Sequence, residues 1–583
     1  MRNFFKIFLA SFVALAVFSL FALIIFFIVV ADITTPAKPK IGDKAVLTLD
    51  LSKQYKEQRQ DNPLGALISK DEDIPSLYEV VSMLRYAKSD NLNKGIYIKC
   101  NSNSNGFAAS QELRNAIADY KTTGKFVYAY GDVITQGAYY VASVADKVYC
   151  NPKGMVEWNG LSTTLIFFKG TLEKLKIQPQ IFYAGKFKSA TEPFREYKMT
   201  DANRLQTSVY LGDLYSQILL TASQHTKKDT ATLHQLADNG SIKNAGDALQ
   251  FGLIDGVRYD DEVRREITGR LNIENTDKIN FVSLDKYSKG ADFKKSGRNK
   301  IALIVAEGEI VDGKGTGSQV GSEDFLEIIR KARLDKTIKA IVFRVNSPGG
   351  SSLASEVILR ELLLAKKAKP VVVSFGDVAA SGGYYIASGA DSIFAQPNTI
   401  TGSIGVFALI PNMQGFLNDK LGMTFDRVKT GPFADMISID RPLSEGEKMF
   451  IQQSIDTVYH DFKSRVATGR KLSMEFVDSI AQGRVWTGQR ARQIGLVDRL
   501  GNMQDAVDCA LRMAKITDYR IREYPEKKGL FESIFSSYKT EIKAKAIKEE
   551  IGVEQYDLLQ RLKTLRSMFY VPQARMPFGV SFK

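Results

Sequence analysis

A chain of 583 residues that is 44% hydrophobic and 25% charged is too long for one ordinary domain and has the composition of folded globular units. Its formal charge of +14 is spread over mixed-sign segments, with no basic run interleaved with aromatics. That pattern sets nucleic-acid binding aside and favours anionic membrane surfaces. The three cysteines, Cys100, Cys150 and Cys509, have no metal-ligand spacing and form no disulfide framework. Cys100 and Cys150 each end a strand-like run, where a buried small hydrophobe is the ordinary role; a bridge between them stays open.

Residues 7–31 are an uncharged apolar run behind Arg2 and Lys6. As a helix the run is roughly 37 Å long at about 1.5 Å per residue, enough to cross a hydrocarbon core of about 30 Å. It reads as an uncleaved signal anchor, the alternative being a cleaved signal peptide. Residues 1–6 then form a cytoplasmic stub, and positive charge at that end puts the bulk of the chain on the far side of the membrane. Residues 32–44 (TTPAKPKIGD within them) read as a tether, and AVLTLDL at 45–51 as the first strand of the body.

Strand-like runs at 95–99, 125–130 and 147–150 then alternate with helical patterns near 110–120 and 137–145. This alternation predicts an α/β fold with parallel crossovers. The stretch YAYGDVITQGAYYVASVADKVYCNP from Tyr128 aligns without a gap with VSFGDVAASGGYYIASGADSIFAQP from Val373, an offset of 245 residues. The chain is therefore an internal duplication, with repeats at 45–275 and 300–515 joined by a polar stretch at 276–299. A charged, helix-prone tail fills 516–583, with apolar residues at Leu530, Phe531, Ile534, Phe535, Leu558, Leu559 and Leu562. It reads as a packing or surface helix pair, or as a membrane-surface contact through its lysines.

In VVVSFGDVAASGGYYIASGA, residues 371–390, an apolar strand breaks at Gly376–Asp377 and resumes as a small-residue helix near Gly382. Ser381 thus falls where a strand turns into a helix, a place that exposes a hydroxyl and favours a developing anion. The repeat supplies a control: Ser381 corresponds to Gln136, and Gly349–Gly350 to Ser104–Asn105. Framework residues agree between the copies while chemical ones differ, which points to one active elbow.

A serine nucleophile needs a base. His460 lies about 200° from Val458 on a helix whose apolar stripe is Ile451, Ile455, Val458, Phe462 and Val466, so it faces solvent. His225 and His234 flank a polar stretch and read as surface residues. Lysine is the other partner, provided burial lowers its pKa from about 10.4. AGKFKSATEPF at 184–194 offers Lys186 and Lys188, whereas the corresponding VKTGPFADM at 428–436 has Pro432 or Phe433 opposite Lys188. One repeat keeps the serine without the lysine and the other the lysine without the serine, a reciprocal loss that a shared site explains. Around Ser381, Ala379, Ala380, Ala387 and Gly389 provide a small-residue setting that excludes water.

GKFKSATEPF, NSPGG (346–350), DVAASGGYY (377–385) and TGSIGV (401–406), in this order behind an N-terminal anchor, resemble the long form of the bacterial signal peptide peptidase A (protease IV) family over residues 45–515. The resemblance implies two tandem Clp-protease/crotonase-like α/β domains behind one transmembrane helix. It also implies a membrane-anchored Ser/Lys-dyad peptidase acting on residual signal peptides and other apolar peptides. By matching positions, the nucleophile falls on Ser381, the base on Lys188, a lysine-orienting hydroxyl on Ser403, and the oxyanion donors on the amides of Gly350 and Gly382. No metal or organic cofactor is implied. The family also implies a homo-oligomer, a tetramer, in the bacterial inner membrane with its catalytic body on the periplasmic side. Two rivals are a crotonase-like acyl-CoA enzyme, which the anchor disfavours, and a non-catalytic membrane scaffold on a decayed peptidase fold.

Overall fold

The computed structural model describes residues 2–34, 38–61, 73–317, 319–526, 552 and 572–576. The N-terminal apolar run is one helix, Arg2–Thr34, within which Phe4–Ala22 is long and apolar enough to cross a membrane and is not buried by any other described residue. It is apolar all round, with no polar face to turn toward water.

Among the described residues the body contains three sheets. The first is wholly parallel, with spatial order Gly256–Val257, Lys147–Val156, Phe126–Ile134, Asn93–Lys99, Ala45–Asp50, Phe281–Ser283. Its central strands are near-continuous apolar runs such as Val127–Ala129, as expected of parallel strands covered on both faces. The second repeats this plan around Asn299–Glu307, Ile338–Ser347 and Val371–Ala380. The duplication is present at the level of single residues: helices Phe107–Lys121 and Ser352–Lys366 start and end 245 residues apart. Two 26-residue helices, Asp201–Thr226 and Glu445–Arg470, each stop at a left-handed lysine, Lys227 and Lys471.

Each repeat runs one strand further than the limits at 275 and 515 read from the sequence. Phe281–Ser283 pairs with Ala45–Asp50, and Tyr519–Tyr524 pairs with Asn299–Glu307. The polar joining stretch also contains a helix, Leu284–Gly290. These edge strands are short or carry exposed charges, as in YRIREY, so they lack the apolar signal of a central strand. Residues Tyr519–Tyr524 and Gln573–Arg575, expected to be helical, are strands. The tail's apolar residues, Leu530 to Leu562, lie outside the described residues.

The third sheet is shared between repeats. Its order is Val320–Gly321, Ile310–Val311, Gly349–Ser351, Gln573–Arg575, Val406–Asn412, Gln178–Ala184. Gln178–Ala184 from the first repeat pairs antiparallel along its whole length with Val406–Asn412 from the second. A buried ionic cluster adds a second junction. Arg344, with no exposed surface, donates to Glu57 at 2.9 Å and Glu112 at 2.8 Å, both from the first repeat. Asp377 accepts from the backbone N–H groups of Ala108 and Ala109 at 2.8 and 3.0 Å.

All three cysteines are buried and free, so Cys100 and Cys150 are not bridged; burial pushes the Cys150 thiol up to about 11. His234 and His460 are exposed as expected. His225 is not a surface residue: its side chain is 11% exposed, with Nε2 3.5 Å from Asp255 and its ring edge-on to Tyr139. The polar residues after it in sequence hid a helix end that folds back on the first repeat.

Candidate active site

The strand Val371–Ala380 does not break at Gly376–Asp377. Its pairing with Ile338–Ser347 shifts register between Val345 and Ser347, and Asn346 Oδ1 accepts from the Val378 N–H at 3.1 Å inside the bulge. Gly-Asp is a turn signal in isolation; here the bulge absorbs it and the Asp377 carboxylate caps the other repeat. At Ala380 the strand ends, and Ser381 takes φ 55° and ψ −116° before the helix Gly382–Ala387. A serine at positive φ costs of order 1–3 kcal/mol and persists only where its surroundings impose it. Here Ser381 N–H donates to Gly402 O and Ser381 O accepts from Tyr385 N–H, both at 2.8 Å. The hydroxyl is fully buried.

Lys188 reaches this serine from the other repeat. It follows the shared strand Gln178–Ala184 and precedes the short turn Ser189–Thr191. Its side chain is buried, whereas Lys186 is exposed. Lys188 Nζ lies 2.9 Å from Ser381 Oγ, 3.2 Å from Ser403 Oγ and 3.2 Å from Ser403 O. A neutral amine has two N–H donors and one lone pair, which matches two Ser403 acceptors and one Ser381 hydroxyl proton. Burial holds the Lys188 amine well below the ordinary lysine value, with no carboxylate among the described residues opposing the shift. The two side chains belong to one chain, so the contact needs no neighbouring copy.

The segment 482–484 holds this arrangement, and it carries no signal of its own in the sequence. Phe187 N–H donates to Gln482 O, Gly483 N–H to Ile404 O and Ser403 N–H to Arg484 O, each at 2.7 Å. Gly483, at φ 72°, lies so close behind Lys188 that an added Cβ would come within 2.7 Å of the lysine's N and Cβ. Gln206 closes the turn from below, donating to Phe187 O and Ser189 Oγ at 3.0 Å and accepting from Val485 N–H at 3.2 Å.

Gly350 and Gly382 flank the serine on the strand Gly349–Ser351 and the helix Gly382–Ala387. Facing them is a segment that sequence reasoning missed. Ala574 is the register partner of Gly350, and its carbonyl oxygen lies 2.1 Å from where a Cβ on Gly349 would sit and 3.0 Å from one on Gly382. In the first repeat the corresponding elbow is tied shut, since the amide of Gln136 accepts from Asn159 and Gly160 N–H and donates to Gly160 O, all at 3.1 Å.

Comparison with known proteins fits this duplicated architecture. Protease 4 of Salmonella typhi is 37% identical over 478 residues, 80% of this chain and 77% of its own. Protease 4 of Haemophilus influenzae is 36% identical over 75% of this chain and 72% of its own. The chloroplastic serine protease SPPA of Arabidopsis thaliana is 32% identical over 82% and 70%. Peptidase family S49 matches residues 119–274 and 364–517, one match in each repeat; Lys188 falls in the first, Ser381 and Ser403 in the second. With both repeats matched and relatives aligned over most of their length, the chain belongs to peptidase family S49 and is a protease.

Proposed function

We propose that this protease is a membrane-anchored serine endopeptidase working through a Ser381/Lys188 dyad on extended apolar peptides, residual signal peptides among them. The observation that carries the reading is the 2.9 Å contact between Lys188 Nζ and Ser381 Oγ in a buried site where no carboxylate among the described residues keeps the amine charged. Ser381 Oγ attacks the peptide carbonyl carbon while its proton passes to the Lys188 lone pair. Gly350 and Gly382 N–H groups stabilise the oxyanion. Collapse expels the amine, which takes the proton from Lys188, and leaves an acyl-serine. Water, deprotonated by Lys188, then releases the acid and regenerates both groups. Ser403 orients the amine through its hydroxyl and carbonyl oxygens.

The helix Arg2–Thr34 serves as the anchor, with the body on the periplasmic side by the positive-inside rule. Assembly into a homo-oligomer rests on the resemblance and on exposed apolar side chains in the second repeat: Leu421, Phe425, Val428, Phe433 and Ile437.

The purified full chain in detergent should cleave an apolar reporter peptide, and Ser381→Ala should do so at no more than ~10⁻³ of that rate. Equal rates would sink the assignment of the nucleophile. Gly483→Ala should lower kcat/KM by about a hundredfold by pushing Lys188 off its position, with a loss of only a few degrees in melting temperature. Full activity in that variant would show that the packing behind the lysine does not matter.

A further inference from the structure

Residues 573–575 are the fourth strand of the shared sheet, antiparallel to Gly349–Ser351 on one side and to Val406–Asn412 on the other. Ser352 N–H donates to Pro572 O at 3.2 Å and Met576 N–H to Pro348 O at 2.8 Å. The pair midway between these two, Gly350 with Ala574, is of the same hydrogen-bonded kind, because such pairs alternate along an antiparallel ladder. The Ala574 carbonyl also lies against the Gly349 and Gly382 backbones. Ala574–Arg575 is therefore the peptide bond turned toward the elbow, and Met576 is the second residue beyond it. An extended peptide between the same two strands makes the same main-chain bonds, the mode of strand addition, and its side chains fall where those of 572–576 fall.

Met576 is buried in an apolar cluster with Tyr210, Leu214, Ala380, Ile400 and Val485. Tyr210 and Leu214 come from the first repeat, one turn apart on a single face of the helix Asp201–Thr226. The other three come from the second repeat. Ala380 ends the strand Val371–Ala380 directly before Ser381, Ile400 lies on the neighbouring strand Ile400–Gly402, and Val485 on Val485–Thr487 next to that. The helix is tied to these strands through Asp213, whose carboxylate accepts from Thr487 Oγ1 at 2.9 Å and from Arg490 Nε and Nη2 at 2.6 and 2.8 Å. Those bonds hold the pocket walls together without any part from Met576.

We propose that Tyr210 and Leu214 of the first repeat, set against Ile400 and Val485 of the second, form a specificity pocket that selects a large apolar side chain, such as methionine, at the second residue on the leaving side of the bond to be cut. The inference rests on the Ser381/Lys188 reading, with residues 572–576 as the observed occupant of the slot. A methionine side chain placed there removes its apolar surface from water. Glycine leaves the same space as a cavity, and aspartate is desolvated among five residues that cannot neutralise its charge. The first repeat then supplies part of the recognition as well as the base.

The test uses the full chain in detergent and apolar peptides that differ only in the second residue after a central alanine: methionine, tryptophan, glycine or aspartate. Mass spectrometry identifies the bond cut. The expected kcat/KM is roughly tenfold or more higher for methionine than for glycine, and lowest for aspartate. Leu214→Trp, which fills the pocket, should bring the methionine-to-glycine ratio to within about twofold. Leu214→Ala, which enlarges it, should raise the tryptophan-to-methionine ratio by about tenfold. Each ratio is read within one preparation and is insensitive to a misfolded fraction. A methionine-to-glycine ratio near one in the parent overturns the proposal. So do parent ratios that both Leu214 variants leave unchanged, since the preference would then be set elsewhere. Ser381→Ala separates the two readings: cleavage persisting in that variant overturns the dyad, whereas Ser381-dependent cleavage with a flat ratio overturns only the pocket.

Discussion

Lys188→Met should abolish peptide cleavage, with a loss of about 10³-fold or more, and should change how stability depends on pH. Methionine keeps much of the length and the apolar stem, but its thioether is far too weak a base to take the Ser381 proton. In the parent, the buried amine titrates well below its value of 10.5 in the absence of the fold. Between those two values the unfolded chain binds a proton that the native chain refuses, so the parent's stability rises with pH across that window and is reduced below it. The melting temperature of Lys188→Met relative to the parent should therefore increase as pH falls below 10.5. It loses its N–H bonds to Ser403 at every pH, so the pH trend rather than the value at one pH is diagnostic. The parent's kcat/KM should fall tenfold per unit below the Lys188 pKa and level off above it. A flat profile, or a variant that still cuts, would remove Lys188 from the mechanism.

Arg344→Ala should be the most destabilising single substitution between the repeats, costing roughly 3–5 kcal/mol in denaturant unfolding. Its guanidinium holds Glu57 and Glu112 of the first repeat and Ser374 Oγ and Phe375 O of the elbow strand, all within 2.9 Å. Removing it leaves two carboxylates buried and uncompensated. Burial pushes Glu112 up to about 7 even with Arg344 beside it. For a carboxyl raised in this way the native state binds more protons than the unfolded state between about 4.5 and 7, so its favourable term is present at low pH and is lost as pH rises through that range. The deficit of Arg344→Ala should accordingly be smaller at pH 5 than at pH 8, because protonation relieves the unpaired charge. A deficit independent of pH would mean that lost packing, not electrostatics, sets the cost.

Much of this protein was legible before any fold was known. The offset of 245 residues located both repeats, and the internal control at Gln136 separated an elbow with a hydroxyl from one without. The two-residue choice between Lys186 and Lys188 could not be made from local sequence, since both sit in the same small-residue stretch; burial distinguishes them. Gly376–Asp377 misled because a turn signal and a bulge are the same residues in different company. His225 misled because polarity in its neighbours said nothing about the face it turns inward.

By itself the sequence determined what recurs locally: the apolar N-terminal run, the strand–helix alternation, the duplication, and the residue types that part company between the copies. Only the tertiary structure decided which segments meet. Residues 188, 381, 403 and 483 converge because strands from both repeats pair in one sheet, and backbone pairing across hundreds of residues leaves no periodicity to read. The same holds for Gln573–Arg575, which joins the shared sheet by main-chain pairing that almost any sequence can make.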